Sequence, residues 1–175
     1  AVPGTPIQFG GGVRSLAAVE LALDLGATRV VIGTAAVLHP ELLAKVVRRF
    51  GAERIVAGID ARDGRVATHG WQQTSELAAE ALGCAARERG VLRAVYTDIS
   101  RDGMLTGVAL EATAALARAT GLRVIASGGV ASPDDVRRLL LYAADGVEGV
   151  IVGQALYTGA VALPELIRIA GSEIE

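Results

Sequence analysis

The two ends of this 175-residue sequence repeat each other, whereas its middle repeats nothing. The segment GGGVRS at 10–15 returns as SGGVAS at 127–132, and VVIGTAAV at 30–37 returns as VIVGQALY at 150–157. The offsets between the paired segments are 117 and 120 residues. Two nearly equal offsets of this size predict a protein built from two related halves, with about four strand–helix units separating each pair.

Short apolar runs alternate with longer segments of helical periodicity, a pattern typical of parallel strands joined by helices. The predicted strands are 6–10, 29–33, 54–60, 93–98, 122–127 and 149–153. The predicted helices are 15–26, 39–51, 75–90, 110–121, 132–146 and 163–170. Ser75 and Ser132 are expected to cap helix starts, and Pro133 is tolerated at a first helical position.

Strict alternation of strands and helices allows either an open doubly wound sheet or a (βα)8 barrel. The repeat favours the barrel, because an open sheet has no reason to repeat at a four-unit offset. The partners of the unrepeated runs at 55–60 and 94–99 should then lie before residue 1. We therefore predict a single α/β domain over 1–175, an incomplete TIM barrel of about six βα units, the third to the eighth.

Composition argues against several classes of function. A net charge of −2 disfavours nucleic acid or an anionic membrane as the main partner. One cysteine, Cys84, and two histidines, His39 and His69, disfavour a Cys- or His-based metal site. No apolar run approaches the roughly 18 residues of a membrane span, and no basic-then-apolar leader precedes Pro3. We expect a cytoplasmic enzyme without a Cys- or His-based metal site.

Glycine clusters follow the predicted strands at the end where barrel enzymes carry their chemistry. Backbone N–H groups in a strand–Gly-Gly–helix connection suit a phosphate group, although such glycines also serve tight turns and close packing. The predicted phosphate-binding residues form two equivalent sets, Gly11, Gly12, Gly33 and Thr34, and Ser127, Gly128, Gly129, Gly153 and Gln154. Arg14 is placed to add charge to the first set. Two anion sites across one mouth predict a small-molecule substrate with a phosphate at each end.

Carboxylates lie at the same predicted mouth. Asp60 ends one strand, Thr97 lies near the end of the next, and Asp102 follows on a loop. Two carboxylates beside one apolar-walled mouth suit general acid–base catalysis. Asp98 is expected to cap its loop, and Asp63-Gly64 to form the tip of a hairpin.

Trp71 is the only tryptophan, and it lies in a polar loop rather than in a core run. An indole in that place is suited to stack on a flat heterocycle, although it could also serve the packing of its own loop. His69, two residues earlier, is a candidate acid, base or hydrogen-bond donor.

These motifs together resemble a known family. GGGVRS, IGTAAV, IDARDGRVATHGW, YTDISRDGML, IASGGVAS and GVEGVIVGQALY occur in an order and spacing similar to those of phosphoribosylformimino-5-aminoimidazole carboxamide ribotide isomerases of histidine biosynthesis. The resemblance covers essentially the whole chain. It implies a (βα)8 barrel without metal or organic cofactor that converts an aminoaldose to an aminoketose by Amadori rearrangement.

The resemblance also implies roles for particular residues. Asp60 and Asp102 fall on functional carboxylates of the family, Thr97 on a catalytic-site hydroxyl, and Trp71 on a ring that stacks on substrate. It favours Asp102 as the general acid that opens one ribosyl ring, with Asp60 and Thr97 positioning the sugar hydroxyls. The family's base is an aspartate of its first strand, whereas this sequence resembles the family from just before the third strand. Little isomerase activity is therefore expected of this chain alone.

Three functions are compatible with these features. The first is the isomerase of histidine biosynthesis, and the second is phosphoribosylanthranilate isomerase or an enzyme that combines both activities. The third is a barrel fragment that binds phosphate or self-associates without turnover.

Open strand edges around Ile7-Gln8-Phe9 and Val150-Ile151-Val152 predict a homodimer or higher oligomer.

Overall fold

Alternating strands and helices make up the chain in a computed structural model that describes residues 4–171. The strands are β1 Gln8–Gly10, β2 Arg29–Ile32, β3 Ile55–Arg62, β4 Arg65–Thr68, β5 Gln73–Ala78, β6 Arg93–Asp98, β7 Arg123–Ser127 and β8 Val147–Ile151. The helices are α1 Leu16–Asp24, α2 Thr34–Leu38, α3 Pro40–Phe50, α4 Ala79–Glu88, α5 Leu110–Thr120, α6 Pro133–Leu140, α7 Gln154–Tyr157 and α8 Leu163–Ala170. Short 3-10 turns at Ala52–Arg54 and Ala143–Asp145 precede β3 and β8.

Six of the strands form a parallel sheet in the order β1-β2-β3-β6-β7-β8. Neighbours in the sheet follow one another along the chain, except that the antiparallel hairpin β4-β5 is inserted after β3. Helices connect successive parallel strands, as is usual for crossover connections. The predicted incomplete TIM barrel is confirmed: the sheet is a curled partial barrel whose edges are β1 and β8.

The core lies between the sheet and its helices. Its largest fully buried side chains include Ile32, Ile55 and Ile59 from the strands and Leu43 and Leu116 from the helices. A smaller apolar cluster of Val31, Val56, Val95 and Ile125 fills part of the concave side of the sheet. In the part of the chain that the structure describes, no helix has the length and apolarity to cross a membrane.

An ion-pair network occupies the opposite end of the sheet from the predicted mouth. Arg93 opens β6 with a side chain that is 3% exposed, and its guanidinium donates to both carboxylate oxygens of Glu148. It also donates to Glu53 Oε2 at 3.2 Å, while Arg123 donates to Glu53 Oε1 at 2.6 Å. The network therefore ties together the starts of β3, β6, β7 and β8.

The structure corrects two of the predicted helices. The helix expected over 132–146 ends at Leu140, and the 3-10 turn Ala143–Asp145 follows it. Residues 75–90 were expected to form a single helix capped by Ser75, but Ser75 lies in β5 and its hydroxyl donates to the carbonyl of Val66 at 2.9 Å. The helix begins only at Ala79, whose N–H donates to Gly64 O. Pairing with β4 overrides the helical propensity of this short segment. The predicted hairpin tip at Asp63-Gly64 is confirmed, since it joins β3 to β4.

Candidate active site at the carboxyl ends of the strands

Inner-face residues from four neighbouring strands form a row at the mouth of the partial barrel. Asp60 on β3 is in register with Thr97 on β6, Thr97 with Ser127 on β7, and Ser127 with Ile151 on β8. Thr97 is buried and Asp60 is half-buried. A carboxylate and two hydroxyls thus follow one another across three adjacent strands, and the backbones of register neighbours on such strands lie about 4.8 Å apart.

A cavity of about 510 Å³ lies on the β1–β3 side of this row. The sequence-predicted residues that line it are Gly11, Gly12, Arg14, Gly33, Thr34, Asp60, Thr97 and Ser127. The first glycine set, predicted from sequence alone, therefore opens on the same space as Asp60 and Thr97. Gln8, Gly58 and His69 also line this cavity, although the motifs did not single out the first two.

A second, smaller recess of about 60 Å³ lies on the other side of Ser127. It brings together Asp102 and the second glycine set, Ser127, Gly128, Gly129, Gly153 and Gln154. Because Ser127 and Ile151 line both spaces, the recess and the cavity are adjacent parts of one mouth.

The two glycine sets have matching backbone conformations. Gly11 and Gly12 have φ of 115° and 69°, and their counterparts Gly128 and Gly129 have φ of 92° and 84°. The repeat extends to the following helices, since the capping residues Ser15 and Ser132 have φ of −150° and −148° with ψ of 163° in both. The sequence repeat is therefore also a repeat of local structure.

Packing explains part of the requirement for glycine at the second set. A Cβ on Gly128 would lie 2.7 Å from the carbonyl oxygen of Asp98, and one on Gly129 would lie 2.5 Å from that of Gly107. At Gly11 and Gly12 a Cβ would meet nothing within 4 Å. Close packing accounts for Gly128 and Gly129, whereas the positive φ alone requires glycine at Gly11 and Gly12.

The loop after β6 is braced from within. Asp98 Oδ1 accepts from the N–H and hydroxyl of Ser100, and Arg101 Nε donates to Asp98 Oδ2 at 3.2 Å. Arg101 also donates to the carbonyl of Gly107 at 3.3 Å. Asp98 therefore has the loop-capping role predicted for it, and these contacts fix the loop that carries the exposed Asp102 to the rim of the second recess.

Trp71 lines neither of these two cavities, but a hydrogen bond connects it to a residue of the mouth. Its Nε1 donates to Asp60 Oδ2 at 2.9 Å, and its side chain remains partly exposed. His69, Gly70 and Trp71 have φ of 55°, 63° and 71° in succession, an uncommon backbone for non-glycine residues. His69 Nδ1 lies 3.1 Å from the hydroxyl of Thr68, which fixes the ring at the cavity.

The fold and the mouth define a barrel-type α/β protein whose polar groups gather at the carboxyl ends of parallel strands, the usual place of active sites in this fold. The sequence pattern of the family described as "Histidine biosynthesis protein" matches residues 2–162. The chain belongs to this family, so the resemblance noted from its motifs is confirmed.

Curated relatives are similar over nearly the whole chain. A protein of Desulforamulus reducens is 54% identical over 168 residues, which are 96% of this chain and 68% of the relative. One of Heliobacterium modesticaldum is 52% identical over 164 residues, 94% of this chain and 66% of the relative. One of Chloroflexus aggregans is 53% identical over 165 residues, 94% and 67% respectively. The chain thus spans about two thirds of the length of these relatives.

All three relatives carry the same name, 1-(5-phosphoribosyl)-5-((5-phosphoribosylamino)methylideneamino) imidazole-4-carboxamide isomerase. That name describes a reactant with two phosphoribosyl groups. It favours the first of the three functions considered from sequence over phosphoribosylanthranilate isomerisation.

Proposed function

We propose that this chain binds the bis-phosphoribosyl substrate named for its relatives and carries most of the site for its aldose–ketose isomerisation. The observation that carries the proposal is the pair of glycine-lined spaces on either side of Ser127, with Asp60 and Thr97 beside one and Asp102 beside the other. Identity of about half the residues to named isomerases supports the same substrate.

Each phosphate group is assigned to one glycine set. Peptide N–H groups in glycine-rich turns can converge on an anion because no side chain blocks its approach. Arg14, which is exposed and lines the larger cavity, adds a positive charge beside Gly11 and Gly12. The ligand would then span the mouth, and its central part would lie over the row formed by Asp60, Thr97 and Ser127.

The chemistry follows from the placement of the carboxylates. Asp102 donates a proton to the ring oxygen of one ribosyl group, so that the C1–O bond of the ring breaks while the nitrogen lone pair forms a C1=N bond. Removal of the C2 proton then gives an enolamine. C1 gains a proton and the C2 hydroxyl loses its proton, which leaves the aminoketose. Asp60 and Thr97 hold the sugar hydroxyls through this step, and Trp71 stacks on the heterocycle. The reaction needs no metal or organic cofactor, because proton transfers drive both the ring opening and the migration of the carbonyl group.

An isomerase assay tests this function directly. The chain is incubated with the bis-phosphoribosyl substrate or with phosphoribosylanthranilate, alone and together with a fragment of the Desulforamulus reducens relative that contains its unmatched third. We expect turnover of the first substrate only, and more of it in the presence of the fragment. Turnover of phosphoribosylanthranilate without turnover of the bis-phosphoribosyl substrate would overturn the proposed function.

The anion sites are tested separately by calorimetry with a bisphosphate analogue. Substituting Gly128 or Gly129 would also disturb the loop that packs on them, so Arg14→Gln is the better variant. We expect weaker binding by Arg14→Gln and unchanged binding by Arg48→Gln, because Arg48 is an exposed arginine of α3 outside the mouth. If the two variants bound the bisphosphate analogue equally tightly, Arg14 would not contribute to the phosphate site.

We further propose that the chain self-associates through its sheet edges. Ile7 directly before β1, Phe9 on β1 and Ile151 on β8 are 47%, 45% and 43% exposed. At roughly 25 cal/mol per Å², covering several hundred Å² of such apolar surface stabilises a dimer by several kcal/mol. Sedimentation at micromolar concentration should give a dimer or larger oligomer, and a stable monomer would contradict this.

Cytoplasmic location stays a prediction of the sequence.

A further inference from the structure

Gln8 occupies the inner face of β1, facing the larger cavity. It lines that cavity together with Gly10, which is two residues further along the same strand and so on the same face. Ile7 and Phe9 line a separate apolar groove against α1 on the other face. The side chain of Gln8 is therefore the polar group that β1 contributes to the interior of the partial barrel.

The interior of the partial barrel beside Gln8 is partly hollow, since it holds the cavity of about 510 Å³. Barrel interiors are usually filled by branched side chains, and Val31, Val56, Val95 and Ile125 fill this role on β2, β3, β6 and β7. The residues of β1 to β3 that line this cavity include two glycines, Gly10 and Gly58, and Val31 packs against both. A Cβ on Gly58 would lie 3.1 Å from the Cα of Gly33 and 3.1 Å from Cγ1 of Val31, so close packing accounts for glycine at this position.

The amide of Gln8, a residue that lines this cavity, is left incompletely paired. Its Oε1 is buried and has no hydrogen-bond partner among residues 4–171. A buried acceptor without a donor costs free energy, and such atoms in a folded protein call for an explanation. The terminal torsion of a glutamine is soft, so rotation of the amide can turn this oxygen toward the cavity without movement of the strand.

We infer that Gln8 accepts a hydrogen bond from an O–H or N–H group of the substrate, such as a sugar hydroxyl or a carboxamide. This inference rests on the proposed function. A phosphate dianion accepts hydrogen bonds and does not supply the missing donor, so the partner lies in the part of the ligand between the phosphates. Gln8 thereby fixes the substrate in the half of the mouth that holds Gly10 to Gly12.

NMR of glutamine side-chain amides tests the contact. The sequence has four glutamines, Gln8, Gln72, Gln73 and Gln154, so selective ¹⁵N labelling gives four side-chain NH2 signals. The signal lost in Gln8→Met identifies Gln8. We expect the bis-phosphoribosyl substrate to shift both the Gln8 and Gln154 signals, and inorganic phosphate to leave Gln8 unchanged.

The other NMR outcomes separate the two proposals. A saturating shift at Gln154 with none at Gln8 would show that the ligand binds without Gln8, which overturns this inference and leaves the proposed function in place. No shift of any signal would show that the chain does not bind the substrate, which overturns the proposed function and this inference with it.

Affinity and stability together distinguish ligand binding from a structural role. Gln8→Met should weaken substrate binding about three- to tenfold, the effect of one hydrogen bond, and leave the melting temperature unchanged or raised because an unpaired buried oxygen is removed. The matched control is Gln73→Met on β5, where Gln73 is exposed. A lowered melting temperature in Gln8→Met with unchanged affinity would assign Gln8 to folding alone.

Discussion

The indole Nε1 of Trp71 donates a hydrogen bond to Oδ2 of Asp60 at 2.9 Å. The two residues belong to different elements, since Asp60 lies on β3 and Trp71 lies in the connection between β4 and β5. Left-handed backbone at His69, Gly70 and Trp71 places the indole there. The conformation of this connection and the orientation of the Asp60 carboxylate are therefore coupled.

Trp71 fluorescence should report this hydrogen bond, because Trp71 is the only tryptophan of the chain. Asp60→Ala removes the acceptor, so we expect its emission maximum and intensity to differ from those of the unmodified chain. Asp24→Ala, at the exposed end of α1, is the control and should leave the spectrum unchanged. Identical spectra for all three proteins would show that the indole does not contact Asp60 in solution.

Asp102→Asn should lower isomerase turnover by about 10²–10⁴-fold, the usual effect of losing a general acid or base. The amide keeps the size of the side chain but cannot donate the proton that opens the sugar ring. The measurement is a steady-state assay under conditions in which the unmodified chain turns over. Asp134→Asn, on the first turn of α6, provides an exposed control with no expected effect. Full activity in Asp102→Asn would exclude Asp102 as the acid.

Gly129→Ala should destabilise the fold more than Gly159→Ala. Both glycines have left-handed φ, 84° and 74°, so each substitution incurs about 1–2 kcal/mol of backbone strain. Only at Gly129 would the new Cβ also lie 2.5 Å from Gly107 O, which adds about 1–3 kcal/mol. Urea denaturation of the two variants measures the difference, and equal free energies of unfolding would show that the loop at Gly107 moves away without cost.

Arg93→Met should lower the free energy of unfolding by about 3 kcal/mol, because it leaves Glu148 without its main partner. The figure is at the low end for broken buried pairs, since the Glu148 side chain is 24% exposed. The double variant Arg93→Met with Glu148→Gln removes both charges and should be more stable than Arg93→Met alone. Denaturation at neutral pH tests both, and a double variant no more stable than Arg93→Met would show that the unpaired charge was not the cause.

Acid should weaken the same network. Hydrogen bonds from Arg123 and Arg93 lower the pKa of Glu53 below its ordinary value of 4.5. A lowered folded-state pKa means that the stabilisation is present above the unfolded-state value and is lost as the pH falls below it through the folded-state pKa. Glu53→Gln should therefore flatten the loss of stability below pH 4.5, as measured by melting temperature against pH. Parallel profiles for the variant and the unmodified chain would assign the acid lability to other carboxylates.

Much of the mouth could be predicted because barrel chemistry has a fixed location. Once the apolar runs are strands, the residues at their carboxyl ends must converge, which is why Asp60, Thr97 and Ser127 could be grouped before any coordinates. Gln8 could not be found in this way, because its significance depends on the empty space above it and on an unpaired oxygen. Neither property is written in a local pattern.

The β4–β5 hairpin could not be predicted from the periodicity of apolar residues. Ser75 begins a stretch whose residues suit the first turn of a helix, and local propensity alone favours that state. The strand forms because β4 offers backbone partners to it, and those partners are present only when the chain has turned at Asp63 and Gly64. Short segments are decided by such pairings, whereas long buried runs such as β3 are not.

The amino-acid sequence by itself determined the order of the six parallel strands, the repeat of the glycine segments and the family to which the chain belongs. It did so because apolar periodicity and glycine spacing are local properties that survive without coordinates. Tertiary structure alone decided that Trp71 bonds to Asp60, that Arg93 is held by two glutamates, and that Gln8 faces a hollow. These depend on contacts between residues far apart in the chain, which only the register of the folded sheet brings together.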